Sequence, residues 1–232
     1  MQYISLFIAS FGFMALHFVS ASNIRAKVIT KFGEIAWLSL FSILSLVFFI
    51  WMVVEYIAAE RVEDLWQMPL WWLWVNAALM FISLTLILLG YISKNPAIGE
   101  SNLTKHALKG KHLGKGIFAI TRHPAMWGVA ILSAAHMLTN GSIEAQMFFG
   151  SLLGTAVIGS YLQDKRKARN HGEEWAQYAT KTSWLPFKAL LSGRAKFRIS
   201  DLKWWQIGLA IILWAGLLEL HRGYYGAYVL PL

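Results

Sequence analysis

The chain has 232 residues, of which 57% are hydrophobic and only 14% charged, with twelve tryptophans, a mean hydropathy of +0.49 and a net charge of +9. That composition excludes an ordinary soluble domain and marks an integral membrane protein. Cysteine is absent, which excludes disulfides, thiolate-ligated haem, cysteine-ligated iron–sulfur clusters and covalent c-type haem attachment.

Six apolar runs follow in order. Residues 2–21 form the first, about 20 residues and long enough for a span. Its opening, MQYIS, lacks the positive n-region of a signal peptide, so Val19-Ser20-Ala21 is read as part of a retained helix. Residues 35–57 are the second span and 70–92 the third, which opens on Trp71, Trp72 and Trp74. A basic loop over 93–122 leads through Arg122-His123-Pro124 into a short fourth span, 124–138. The turn Thr139-Asn140-Gly141-Ser142 connects it to a fifth, 145–162. Gly150 and Gly154 there make a G-x-x-x-G, a spacing that lets helix backbones approach closely and predicts a hairpin of spans four and five. A second basic stretch, 163–203, precedes the sixth span, 204–220. No internal repeat is evident, and residues 1–232 read as one domain.

Charge assigns the sides. The segments 22–34, 93–122 and 163–203 hold 3, 6 and 10 Lys/Arg, which is 19 of the 21 in the chain. Arg61 and Arg222 are the remaining two, and the loop around Arg61 also carries Glu60, Glu63 and Asp64. This alternation predicts an all-α polytopic bundle of about six transmembrane helices with both termini outside. Trp66, Trp71, Trp72 and Trp74 on the outer side, with Trp204 and Trp205 on the inner, suit interfacial belts. The positive charge therefore serves the anionic inner leaflet. No nucleic-acid-binding module accompanies it, so nucleic acid is not an expected partner.

Histidine is the polar residue to explain. His106, His112, His171 and His221 fall in loops or the tail and read as solvated. His17 lies in the last turns of span one, His123 at the mouth of span four and His136 near its outer end. Ionisable groups inside membrane spans are expensive and commonly functional. Neutral imidazoles on separate helices are one way for a bundle to hold haem b. A buried histidine bonded to a neighbouring helix is the plainer reading, and composition leaves both open.

The string of residues decides more. Leu16-His17, Ser20, Arg25, Gly33-Glu34 and Leu40-Phe41-Ser42 come first, then ITRHP at 120–124, Gly128, Ala135-His136, Leu138 and Gly141. Asp164-Lys165-Arg166, Gly172-Glu173-Glu174-Trp175, Lys181-Thr182-Ser183, Leu185-Pro186-Phe187 and Gly193-Arg194 complete the series. In this order the chain resembles the NnrU family and the related 15-cis-ζ-carotene isomerases over about 200 residues, interrupted before Lys105. The resemblance implies a multi-pass protein of a bacterial inner membrane, linked to denitrification and nitric oxide handling or to isomerase-like redox chemistry. It also implies haem b, with His17 and His136 as axial metal ligands and a hydrophobic or small-molecule ligand. The isomerases carry a further histidine nineteen residues after the one matching His136, where this chain has Thr155. That departure counts against polyene isomerisation.

Depth arithmetic pulls against the implied pair. At 1.5 Å per residue, His17 lies about 22 Å down from the outer edge and His136 about 20 Å up from the inner edge. His123, at the inner mouth, matches the depth of His17 better. Arg122 and Arg25 lie on the inner side, where they are candidates to meet haem propionates or serve as leaflet anchors.

A second likeness runs to the isoprenylcysteine and phospholipid methyltransferases, where R-H-P and paired carboxylates shape an S-adenosylmethionine site. Arg122, His123, Glu173, Glu174 and Tyr178 are the matching residues. The paired acids of that family stand upstream of the glycine, at Gln163-Asp164 here, and the glutamine breaks the match. The plainer reading of Glu173-Glu174-Trp175 is an amphipathic helix on the inner surface. Neither substrate nor oligomeric state is readable from the residues.

Overall fold

The structure, a computed structural model, describes residues 3–20, 22–60, 64–97, 104, 107–109 and 114–225. Ala21, Arg61, Glu63, Lys105, His106 and His112, all singled out above, lie outside the described residues. Among the described residues the regular structure is helical throughout. In chain order the helices are α1 (Ile4–Val19), α2 (Asn23–Phe32), α3 (Glu34–Ala58), α4 (Trp71–Ile92), α5 (Ile117–Ile120), α6 (Pro124–Thr139), α7 (Ile143–Lys181), α8 (Lys188–Leu191) and α9 (Trp204–Tyr225). One 3-10 turn, Ile199–Asp201, precedes α9.

The six apolar runs all become helix, five of them with boundaries close to those expected. Helices α3, α4, α7 and α9 are each long and apolar enough to cross a membrane. Helix α1 has 16 residues and meets α2 at a bend of 71°. Helix α6 also has 16 residues and opens on Pro124, whose missing N–H is harmless at that position. Ser22 caps α2, its hydroxyl accepting from the Ile24 amide at 3.2 Å. Ile43, Leu46, Val47 and Ile57 of α3 are exposed, as are Trp71, Trp74, Trp204 and Trp205. In water such a surface is unstable, whereas acyl chains and headgroups are its natural solvent. This is a helical membrane protein.

Fifth-span boundaries differ most. Helix α7 does not stop near 162 but runs to Lys181, with one non-helical residue, Gly172 (φ 45°, ψ −117°). Half of what reads as a basic loop is therefore helix. Glu173 and Glu174 are exposed while Trp175 is 2% exposed, the amphipathic arrangement expected for this segment.

By internal contacts the chain divides into two compact units, one of residues 1–69 and 133–162, the other of 70–132 and 163–232. In the first unit, α1 packs on α3 where Gly12 lies under the Phe48 ring. The Ser151 hydroxyl lies 3.2 Å from Met52 Sδ, and Tyr56 stacks on Phe148 at 4.7 Å. The two glycines of the G-x-x-x-G face different neighbours. A Cβ on Gly154 would lie 2.7 Å from Met14 Sδ of α1, whereas one on Gly150 would lie 3.8 Å from Met137 of α6. Only Gly150 serves the expected hairpin; Gly154 makes room for α1. The turn before α7 is fastened to Trp66: Leu65 N–H donates to the Gly141 carbonyl at 2.9 Å and Trp66 Nε1 to the Leu138 carbonyl at 2.8 Å.

In the second unit, α4 and α6 approach closely at glycine. A Cβ on Gly128 would stand 2.7 Å from the Ser83 carbonyl and 2.6 Å from Ile87. The Ser83 hydroxyl donates to the Gly128 carbonyl at 2.8 Å, satisfying a polar group where no water reaches. Leu86, Leu89, Ile117 and Phe118 form an apolar cluster there. Trp214 Nε1 of α9 donates to the Ala77 carbonyl of α4 at 3.0 Å.

Candidate functional site

Residues 120–127 and 182–187 of the second unit are joined by backbone. Arg122 N–H donates to the Ser183 carbonyl and Phe187 N–H to the Ile120 carbonyl, both at 2.8 Å. The Thr121 hydroxyl, fully buried, donates to the Trp184 carbonyl at 2.9 Å, and Trp127 Nε1 reaches the same oxygen at 2.7 Å. Phe187 holds a left-handed conformation, φ 63°, unusual outside glycine. Arg194 spans the end of α7, with Nη1 3.2–3.3 Å from the carbonyls of Ala179, Thr180 and Thr182. Orphan carbonyls at a helix C-terminus attract a cation in this way.

This scaffold presents a buried polar cluster. His123 Nε2 lies 3.0 Å from Asp164 Oδ1, and Arg122 Nη1 lies 3.6 Å from the same oxygen. An ionised carboxylate only accepts, so Nε2 carries the proton and Nδ1 the lone pair. Burial pushes the His123 imidazole below its ordinary value; Asp164 opposes this, while Arg122 and Lys167 reinforce it. Burial likewise lowers Arg122, against Asp164, and raises the Tyr178 phenol, which stays neutral. Lys167 is 2% exposed, and its Nζ donates to the Thr104 hydroxyl at 2.6 Å. Tyr178 is fully buried with its ring against Trp175, 5.4 Å between centroids. A neutral imidazole oriented by a carboxylate, with its other nitrogen available, can accept a proton or a hydrogen bond.

The other predicted residues sit in the first unit. His17 Nδ1 donates to the Phe13 carbonyl at 2.8 Å, leaving Nε2 with the lone pair. Its ring lies 4.4 Å from Phe13 and 5.2 Å from Phe41. The His136 ring stacks on Phe149 at 4.6 Å. Since Met14 faces Gly154 and His136 faces Phe149, the two histidines are offset by about 12 Å along α7 at 1.5 Å per residue. Arg25 Nη2 lies 3.9 Å from Glu34 Oε1. The structure thus gathers His17, His136 and Arg25 in one unit and Arg122 with His123 in the other.

Residues 5–229 match the family described as NnrU protein. The chain belongs to the NnrU family. Within that family frame, it is 35% identical over 79 residues to the chloroplastic 15-cis-zeta-carotene isomerase of Arabidopsis thaliana, and 36% identical over 81 residues to that of Zea mays. Those stretches are 34% and 35% of this chain, and the chain spans about a fifth of each relative's length, 22% in both cases. No solved structure matches.

Most of the motifs that mark this NnrU chain, RHP, DKR, GEEW, KTS, LPF and GR, lie within the second unit around the Asp164–His123 pair. Sequence reading missed Lys167 in this cluster and took His171 for a loop residue. His171 is helical and 8% exposed. The error has one source, the unrecognised extension of α7. Glu173 and Glu174, which a methyltransferase reading requires at the site, are both exposed. Among the described residues no group of three or more His, Asp or Glu is arranged to hold a metal ion.

Proposed function

We propose that this NnrU-family protein is a haem b protein of a bacterial inner membrane, serving redox-linked chemistry on a small or hydrophobic ligand. His17 carries the reading. It is a neutral imidazole in an apolar helix, its Nδ1 engaged by a backbone carbonyl and its Nε2 lone pair left to bind. Metal-ligating histidines are oriented by this kind of bond on the other ring nitrogen. The rings of Phe13 and Phe41 beside it suit the apolar face of a porphyrin. These features fit a haem ligand, with Arg25 as the cation for a propionate; His136, offset by about 12 Å along α7, would be the second ligand only after a shift of α1 against α7.

Bound haem would supply a redox-active iron and, when one imidazole leaves, an open coordination position. The chain's own part is to hold the His17 tautomer through Phe13, keep water from the ring faces and place a cation at the inner side. The carotene isomerase relatives support an isomerase-like reaction. Thr155, standing where those enzymes carry a further histidine, favours the other branch, a small ligand such as nitric oxide in denitrification.

Absorption spectroscopy of the protein purified from haem-replete membranes tests this. A Soret band is expected, lost in His17→Ala, weakened or shifted in His136→Ala and retained in His123→Ala. A colourless wild type, or a band indifferent to His17→Ala, overturns the reading.

A further inference from the structure

The cluster in the second unit holds three buried polar atoms without a hydrogen-bond partner: Arg122 Nε, His123 Nδ1 and the Tyr178 hydroxyl. Their residues are 9%, 2% and 0% exposed. Each such atom costs roughly 1–3 kcal/mol when left unsatisfied, so three in one cluster point to a guest. We propose that Arg122, His123 and Tyr178 bind a singly protonated phosphomonoester group, carried either by a soluble phosphate compound or by a lipid with a phosphomonoester headgroup.

The donors and acceptors define the chemistry. Arg122 Nε donates only, and the Tyr178 hydroxyl donates to an anion. His123 Nδ1, with the proton held on Nε2 by Asp164, only accepts. The guest must therefore accept twice and donate once. Its charge follows from the surroundings. Lys167 acts on His123 and Arg194 on Arg122, both as positive neighbours, and Asp164 Oδ1 is already engaged by His123. The site also lies at the N-terminal end of α6, where the helix dipole adds positive potential.

Sulfate and carboxylate have no proton to give Nδ1 near neutral pH, and neither does a phosphodiester. A phosphomonoester, whose second ionisation falls near pH 6, keeps a minority form with a P–OH beside anionic oxygens near neutral pH, and acceptance by Nδ1 selects that form. Arg122 and Lys167 belong to the basic segments assigned above to the inner side, where both soluble phosphates and lipid headgroups are in reach.

The test uses the full-length protein in phosphatidylcholine nanodiscs, titrated calorimetrically with inorganic phosphate and, separately, with sulfate. Saturable phosphate binding is expected, at least about tenfold tighter than sulfate, the scale of one unpaired buried acceptor. Tyr178→Phe keeps the ring on Trp175 and should weaken phosphate by about tenfold with an unchanged melting temperature. Arg122→Lys should retain more binding than Arg122→Gln. Nanodiscs doped with phosphatidic acid, or with phosphatidylglycerol, name the source. If a lipid is the natural guest, phosphatidic acid suppresses the phosphate titration and phosphatidylglycerol does not. If neither suppresses it, the guest is soluble. Equal affinity for sulfate and phosphate, or indifference to Tyr178→Phe, would overturn the phosphomonoester site, and no saturable phosphate binding would mean that only water fills the cluster. His17→Ala should leave the titration unchanged, so this inference stands or falls apart from the haem reading.

Discussion

Asp164 Oδ1, 3.0 Å from His123 Nε2, fixes which nitrogen of a buried imidazole carries the proton. The consequence for stability has a definite sign. In the fold His123 titrates below its ordinary value of 6.5, chiefly through burial. Below about pH 6.5 the unfolded chain therefore takes up a proton that the native state refuses. Stability is fully present above that pH and is lost as pH falls, by up to about 1.4 kcal/mol per unit from this group. Melting temperatures measured from pH 7.5 to 5.5 should fall, and His123→Gln should flatten the slope. The charged neighbours Asp164, Arg122 and Lys167 set how far the decline extends, so Asp164→Asn should carry it to lower pH. An identical pH profile in wild type and His123→Gln would show that the imidazole does not control the decline.

Gly128 and Gly159 make opposite predictions although both are helical. At Gly128 a new Cβ meets the Ser83 carbonyl and Ile87, with helix backbone as the unyielding partner. Gly128→Val should destabilise by about 1–3 kcal/mol, the range for overpacked cores, read as a lower melting temperature in detergent. At Gly159 a Cβ meets nothing within 4 Å. Gly159→Ala should be neutral or stabilise by up to about 1 kcal/mol through helix propensity alone.

Thr121 and Trp127 both donate to the Trp184 carbonyl, at 2.9 and 2.7 Å, and thereby hold the Arg122-His123 backbone in place. Thr121→Val keeps the shape and removes the hydroxyl, which also accepts from the His123 amide at 3.2 Å. A loss of about 1–3 kcal/mol is expected from the unpaired buried groups. The same variant should weaken phosphate binding in the nanodisc titration, because the side chains it displaces line the proposed site. Trp127→Phe, which removes one donor and leaves the Thr121 bond, should cost about 1 kcal/mol.

Periodic and compositional features reached the membrane bundle, since hydropathy and the Lys/Arg alternation act along the chain and need no tertiary contact. They also reached the helix limits at 71–92 and 124–139, where tryptophan and proline punctuate the boundaries. The Asp164–His123 pairing, 41 residues apart, left no local trace. Its carrier, the extension of α7 to Lys181, was hidden because the segment 163–181 is polar, so hydropathy ends where the helix does not. Tyr178 was legible only as part of a motif, and Lys167 only as one basic residue among ten. The RHP motif was legible as unusual; that Asp164 orients its histidine required the fold.

The absence of native cysteine makes sidedness directly measurable, and two helices make the measurement informative. Helices α1 and α6 have 16 residues each, about 24 Å at 1.5 Å per residue, against a hydrocarbon core of about 30 Å. Local thinning and flanking polar side chains accommodate a mismatch of that size at modest cost. The charge distribution predicts that both helices cross, since otherwise a heavily basic segment would face outward. Single cysteines at Lys31, Lys188 and Lys196 should therefore react with a membrane-impermeant maleimide only after permeabilisation. Asp64→Cys and Asn140→Cys should react in intact cells. Asn140 decides the case of α6, because it follows directly after Thr139. If Asn140→Cys is protected while Asp64→Cys is labelled, α6 enters and returns without crossing. In that event α7 starts on the inner side, and the polar end that carries Asp164 lies outside.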